Sequence, residues 1–377
     1  MSEVTFIHTS DLQLGMTRAF LPAEAQARFD AARLEAVVRI GRIAQERQAE
    51  FIVVAGDVFE HNALESRTLG RALEMFKALP VPVYLLPGNH DPLVADSIFS
   101  RTESLDNVHV LRTFDVVEVR PGVELVGAPL KAKHASEDLV AKALRPLEPT
   151  AAIRIAVGHG QAEARTADVV PDLIDVAAVE EKLADGTIDY LALGDTHSTM
   201  SLGTSGRVWY SGSPETTDFH DHAPGVAGNE SDSGNALVVT ARKGSAEVEK
   251  VRTGGWTFDA LHWEVDGADD VDKLLAELSA YPDKERTVVK YSMSGTLGLE
   301  ETSALETGLA QLEPVFAALY ERSRLMDLHL EPGDGELAGL PLTGFAAAAM
   351  SELVEAAADN PVARDAVNLL FRLSKES

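Results

Sequence analysis

The sequence of 377 residues contains no cysteine. Disulfides and thiolate metal sites are therefore excluded, and the composition suits a reducing, cytoplasmic setting. Basic residues are scarce. Thirty-three Lys and Arg stand against sixty Asp and Glu, a formal net charge of −27. A chain this acidic is not a simple polyanion binder, because nucleic-acid affinity rests largely on basic side chains that release counterions. No apolar run reaches the ~18 residues of a membrane-spanning helix, so no membrane span is expected. The stretch Met1–His8 lacks the basic and apolar segments of a signal peptide. Disorder is excluded too, since 45% of the residues are hydrophobic. The length corresponds to two or three domains with ample material for a core.

The charge is uneven. Residues 1–256 carry 24 basic and 37 acidic side chains, net −13, and residues 257–377 carry 9 and 23, net −14. Nine of the eleven histidines precede position 257; the other two are His262 and His329. The composition changes near Gly254-Gly255, which marks an expected domain boundary.

Before that boundary, apolar strands alternate with helices. Strands are expected at Val4–His8, Phe51–Ala55, Val81–Leu86, Ile153–Val157 and Tyr190–Leu193, and a hairpin around Pro121-Gly122. Ala23–Gln48 reads as an amphipathic helix with Phe29, Leu34, Val37, Val38 and Ile43 on its apolar side, and Ser66–Ala78 as a second helix. One pattern recurs: a strand ends in Gly or a short loop, and Asp, Asn or His follows. The loops are Asp11-Leu-Gln13, Gly56-Asp57, Gly88-Asn-His-Asp91, Gly158-His159 and Gly194-Asp-Thr-His197. Loops at the carboxyl ends of strands are where layered α/β folds build sites. A lone His or Asp in such a place is usually structural; five in succession point to a site. The donors are oxygen and imidazole. They suit two divalent ions, with Mn, Fe and Zn compatible and Mg compatible with the oxygen-rich positions. A carboxylate between two such ions bridges them, and the pair can clamp a phosphoryl centre.

These motifs, in this order, together with His8-Thr-Ser-Asp-Leu-Gln-Leu-Gly15, Gly56-Asp-Val-Phe59 and Tyr210-Ser-Gly-Ser-Pro214, resemble the calcineurin-like metallophosphoesterases. Within them the sequence is most similar to the SbcD-type DNA-repair exonucleases, over about residues 4–250 and more loosely beyond. The resemblance implies a four-layer αββα sandwich with a small α/β capping domain and C-terminal helices. It implies Asp11 as a metal ligand, Asp57 as the bridge, Asn89 and His159 as ligands of the second ion, and His197 as a ligand of the first. It implies His90 at the scissile phosphate, assisting departure of the 3′-oxygen, with Asp91 orienting it. Two positions depart from the family pattern. Gln13 stands where the first motif has His, and Asp195 where the last motif has His. One ion would then be held by Asp11, Gln13, Asp57 and His197, the other by Asp57, Asn89, His159 and Asp195. Each set trades an imidazole for an oxygen donor, which hardens the second site toward Mn or Mg.

The expected domains are a phosphoesterase domain at 1–255, a cap at 256–335 and a helical partner-binding segment at 336–377. In the cap, strands are expected at Leu261–Val265, Thr287–Ser294 and Arg324–Leu330, and helices at Val271–Tyr281 and Thr302–Leu319, the latter interrupted by Pro314. Leu337–Leu373 reads as a helical hairpin broken at Asn360-Pro361. The resemblance implies that this hairpin binds an SMC-like ATPase of the SbcC type, that DNA is the substrate, and that the phosphoesterase domain dimerises. Two other readings remain open: a phosphodiesterase of small nucleotides, and a non-catalytic subunit with an impaired metal site. Outside the motifs, Arg18 could touch a phosphate backbone. Arg28, Arg33, Arg39, Arg42 and Arg47 alternate with acidic residues and read as a salt-bridged, solvated helix face. His61, His220 and His222 read either as surface loop residues or as residues at the mouth of the site. Pro224–Gly234 reads as a mobile loop.

Overall fold

The computed structural model describes residues 3–162, 171–222, 230–331, 342–357 and 360–375. The chain divides into two compact units. The first comprises Met1–Ala19, Gln26–Phe219 and Ala227–Trp256, the second Phe20–Ala25, His220–Val226 and Thr257–Ser377.

The first unit is built on two six-stranded sheets. One contains β1 (Glu3–Thr9), β2 (Phe51–Val54), β3 (Val83–Leu85), β4 (Val108–Val110), β12 (Asn235–Arg242) and β13 (Ser245–Arg252), in the order β13-β12-β1-β2-β3-β4. The other contains β5 (Val116–Arg120), β6 (Val123–Gly127), β7 (Ile153–His159), β8 (Tyr190–Gly194), β9 (Met200–Leu202) and β10 (Val208–Tyr210), in the order β5-β6-β7-β8-β10-β9. The central strands are covered on both faces, so they read as unbroken apolar runs; all four residues of β2 are buried. Their side chains alternate between two cores. Phe6, Phe51 and Val53 face Leu125, Ile155 and Tyr190 between the sheets. Ile7, Ile52 and Val54 face outward onto helices α1 (Ala23–Glu46) and α2 (Ser66–Lys77) through Val37, Ile40 and Phe76. On the far side, α3 (Leu139–Leu144) and α4 (Val176–Ala184) cover the second sheet through Val140, Leu144, Val179 and Leu183. Helix, sheet, sheet, helix is the four-layer αββα order. Val38, expected on the apolar side of α1, is 45% exposed, and Ile40 takes the buried position.

The pairing register lines up the ends of the strands. Thr9, Val54 and Leu85 stand side by side across β1, β2 and β3. In the second sheet His159 is paired with Gly194. The loops that carry Asp11, Asp57, Asn89, His159 and Asp195 therefore leave at one level.

The second unit holds a sheet of β11 (His220–Asp221), β14 (Thr257–Val265), β15 (Thr287–Leu297) and β16 (Ala318–Glu321), with β17 (Asp327–Leu330) paired to the far end of β15. Helices α5 (Ala268–Ala280) and α6 (Leu299–Leu312) connect its strands and pack through Leu274, Leu278 and Leu305. The helix expected to run on to Leu319 stops at Leu312. Pro314 lacks the N–H that a continuing helix needs, the chain makes a short 3-10 turn, and β16 follows with Leu319 in the core. Two terminal helices, Phe345–Ala357 and Pro361–Lys375, bury Met350, Val367 and Phe371 in a cluster with Leu299. Parts of the hairpin expected over Leu337–Leu373, and residues 224–229 of the loop expected at Pro224–Gly234, lie outside the described residues. Among the described residues, no helix is long and apolar enough to cross a membrane.

Candidate metal centre

The first two loops are zipped together before any side chain is considered. The amides of Asp11, Gln13 and Leu14 donate to the carbonyls of Gly56, Asp57 and Val58 at 3.0, 2.9 and 3.0 Å. Five non-glycine residues among the described ones have positive φ, and four are site candidates: Asp11 (52°), Gln13 (40°), Asp57 (51°) and Asp195 (98°). Such backbone costs about 1–3 kcal/mol per residue and persists where the surroundings over-determine it. Two glycines make the close approach feasible. A Cβ on Gly56 would sit 2.0 Å from Nδ1 of His159, and one on Gly88 would sit 2.1 Å from Oδ1 of Asp57.

One group of donors centres on His159. Its Nδ1 is 2.8 Å from the Ala55 carbonyl, which turns Nε2 into the site. That nitrogen lies 2.7 Å from Oδ1 of Asn89, 3.4 Å from Oδ1 of Asp57 and 3.8 Å from Oδ1 of Asp195. Asp11, Asp57 and His159 each offer a donor atom within 4.8 Å of the others. A second group centres on His197. Its Nε2 is 3.9 Å from Oδ1 of Asp11 and 3.5 Å from the amide nitrogen of Gln13. Among the described residues, Oε1 of Gln13 is buried without a hydrogen-bond partner. All seven sequence-selected donors thus converge on one place.

The electrostatics favour positive charge there. Burial raises the Asp11 carboxyl above its ordinary range, although the neighbouring His197 and His159 pull the other way. Burial also works against ionised Asp57, yet the charges of His159 and His90 and the hydrogen bond to His159 hold it below the usual range. His159 is raised well above an ordinary histidine; burial opposes this and the carboxylates of Asp57, Asp11 and Asp195 outweigh it. Buried carboxylates at this density need cations, whether protonated imidazoles or metal ions. Divalent ions fit the donors present: oxygen and imidazole ligands converge, and a buried amide oxygen of Gln13 has no hydrogen-bond partner among the described residues.

His90 and Asp91 have different tasks. Nδ1 of His90 lies 3.0 Å from the Glu60 carbonyl, and Nε2 lies 4.0 Å from Oδ2 of Asp57, so the ring is oriented by main chain. The hydrogen bond expected from Asp91 to His90 is corrected by this geometry. The two oxygens of Asp91 instead accept from the amides of Phe59 and Gly88, at 2.9 and 2.8 Å. Asp91 is fully buried, and burial together with the Asp57 charge pushes its carboxyl up to about 7. It ties the third loop to the second, and the amide of His90 then donates to Oδ1 of Asp57 at 3.0 Å.

Several participants were not legible as site residues. Glu230 is buried and accepts from the amides of Thr217 and Asp218 at 2.7 and 2.9 Å, while its Oε2 lies 3.2 Å from Nδ1 of His197. It sits in the stretch read as a mobile loop, where nothing in the local composition marks it. Arg33, expected on a solvated face, is 3% exposed and donates to the Leu12 carbonyl through Nε at 3.1 Å. Burial lowers its guanidinium to about 10. Arg47 pairs with Glu249 at 2.6 Å, across to β13 rather than along its own helix. Arg18 donates through Nε to the Thr217 carbonyl at 2.8 Å. His61 is exposed, with Nδ1 accepting from the Ala63 amide at 3.2 Å. Beside the donors opens a cleft of about 410 Å³, lined by Asn89, His159 and Asp195 and also by Lys133, His134 and Gln161.

Comparison with known proteins agrees with this chemistry. The calcineurin-like phosphoesterase family matches residues 4–199, more than half of the chain. The DNA double-strand break repair protein Mre11 of Archaeoglobus fulgidus is 29% identical over 236 residues, which cover 57% of this chain and 51% of that protein. The chain therefore spans about half the length of this curated relative. A crystal structure of a dimetal phosphatase from Danio rerio aligns with a TM-score of 0.40 and 11% identity, over 66% of this chain and 99% of that one. By the family match over the region that builds the donor cluster, this chain belongs to the calcineurin-like phosphoesterases, a family of metal-dependent hydrolases.

Proposed function

We propose that this chain hydrolyses DNA phosphodiester bonds, as an SbcD-type nuclease subunit working with an SMC-like ATPase of the SbcC type. The observation that carries the reading is the convergence of seven oxygen and imidazole donors around Asp57. In this reading Asp11, Gln13, Asp57 and His197 hold one divalent ion, and Asp57, Asn89, His159 and Asp195 hold the other. Mn is the ion best matched to the oxygen-rich mixture. Two such ions supply Lewis-acid polarisation of a phosphoryl oxygen and a water of lowered pKa. The chain's own residues do the rest. Asp57 presents a carboxylate to both sets. His90, held at Nδ1 by the Glu60 carbonyl, turns Nε2 toward the site and in its imidazolium form donates to the departing oxygen. Lys133 and His134 line the adjoining cleft together with Asp172 and Asp195, and the lysine offers a phosphate one cationic contact there.

The similarity to a double-strand break repair protein supports DNA as the substrate class. Residues 256–335 are proposed as the cap and 336–377 as the partner-binding segment. Phe345, Val362 and Leu369, at 88, 74 and 52% exposure, support a partner on the terminal helices. A homodimer through the phosphoesterase domain is part of the same proposal.

The test is Mn-dependent cleavage of linear single- and double-stranded DNA, with and without the ATPase. Cleavage by the wild type, lost in His90→Ala with its bound metal retained, is the expected result. Inertness on every DNA end with Mn loaded sinks the nuclease reading. Turnover of small nucleotide diesters alone moves the substrate to that class.

A further inference from the structure

The second unit carries a set of donors that phosphoester hydrolysis leaves unused. Strand β11 is two residues long, at the edge of its sheet, and its parallel pairing with β14 sets His220 beside Asp259. The amide of His222 donates to the Ala260 carbonyl at 3.1 Å, so the chain continues along β14 past the strand. Residues two apart in extended backbone share a face. The His220 and His222 rings accordingly lie 4.0 Å apart between centroids. Nε2 of His222 is 3.4 Å from Oδ1 of Asp259. One donor atom from each of the three residues lies within 4.8 Å of the others. The carboxylate is fixed from its other side, where Oδ2 accepts the Tyr281 hydroxyl at 2.6 Å.

An ion pair between His222 and Asp259 accounts for one imidazole only. The second ring lies against the first, so two imidazoles and a carboxylate face one small volume. A shared cation would engage all three, because neutral imidazoles coordinate through lone pairs while the carboxylate balances the charge. We propose that His220, His222 and Asp259 bind one divalent transition metal of the zinc class, with Tyr281 holding the carboxylate in place. Two imidazoles and one carboxylate favour zinc over Mg or Ca, and three protein ligands leave a fourth position for water. Zinc bonds of about 2.1 Å put tetrahedral donors about 3.4 Å apart. The separations here require a modest approach, which His222 can make because its side chain is 45% exposed. The consequence is local. A two-residue edge strand has little pairing of its own to hold it, and a metal bound only in the folded form clamps it to β14.

The test uses tag-free, full-length protein stripped with a chelator and titrated with zinc alone, with bound metal counted after dialysis. Wild type should retain one equivalent more than His222→Ala and than the His220→Ala/His222→Ala double variant. Tyr281→Phe should weaken that equivalent roughly tenfold or more, as loss of an outer hydrogen bond to a ligand does. Cobalt in place of zinc should give a visible absorption band that His222→Ala loses and Asp57→Asn keeps. His222 is exposed enough that its removal leaves the fold intact; circular dichroism checks this. Equal zinc retention and identical cobalt spectra in wild type and a folded His222→Ala overturn the proposal.

Discussion

The two halves of the donor cluster differ in how completely they are assembled. Around His159, Asn89 stands 2.7 Å and Asp57 3.4 Å from one nitrogen, and that nitrogen is aimed by the Ala55 carbonyl. Around His197, the nearest carboxylate in the site is 3.9 Å away, and Gln13 leaves a buried oxygen without a partner among the described residues. The His197 ring is instead braced from behind by Glu230 and Thr217, at 3.2 and 2.5 Å from Nδ1. One half relies on a strand end and main chain. The other relies on a residue from a distant loop. Position 13 is also where an amide replaces the family's imidazole. The expectation is that the His159 half binds its ion more tightly than the His197 half.

The largest expected effect removes the comparison altogether. Asp57→Asn takes a bridging charge from both halves, and hydrolysis should fall by roughly a thousandfold or more, with less than one Mn ion per chain left in the two halves together. Retention of both ions would show that Asp57 does not bridge. His90→Ala comes next. It should lower kcat by roughly a hundredfold or more while metal analysis shows both halves filled. Gln13→His then sharpens the contrast directly. Replacing the amide with imidazole should tighten the weaker Mn site about tenfold in a calorimetric titration and leave the tighter one unchanged. Glu230→Gln should do the reverse, loosening only the His197 half by roughly tenfold; equal loosening of both sites would reject the division.

A further effect, on stability and not on the site, lies outside both halves. His8 is fully buried between the sheets, with Nδ1 3.1 Å from the Tyr190 hydroxyl and Nε2 3.2 Å from the Leu193 carbonyl. Burial lowers it from 6.5 to about 3, despite the backbone bond to Leu193. The folded state therefore holds it neutral, and below pH 6.5 the unfolded chain binds the additional proton. Stability present above 6.5 should fall as pH drops toward 3, by up to a few kcal/mol. Urea unfolding in chelator should show that His8→Gln flattens this slope. An unchanged slope would place the acid sensitivity in the donor cluster.

Much of the layered fold was legible because buried parallel strands must be apolar on both faces, and runs such as Phe51–Val54 have no other use. Strand β13 was not read, because its exposed edge position lets Ser245–Arg252 alternate charged residues as a loop also would. Strand β16 was hidden behind Pro314. The donor loops stood out through Gly next to Asp, Asn or His. Glu230 and Arg33 carried no such mark. Their roles depend on burial against partners at positions 197 and 12, and one-dimensional spacing does not encode that contact.

Alone, then, the sequence determined the family, the strand ends and the residue types offered to a metal. Periodicity and motif order are local properties, and they survive without coordinates. Only the tertiary structure decided which donors share a nitrogen and that Asp91 binds backbone instead of His90. It also decided that Arg33 lies buried under the first loop, and that His220, His222 and Asp259 meet. Each of these is a distance between segments far apart in sequence, set by register and packing, which the order of residues implies only after the chain has folded.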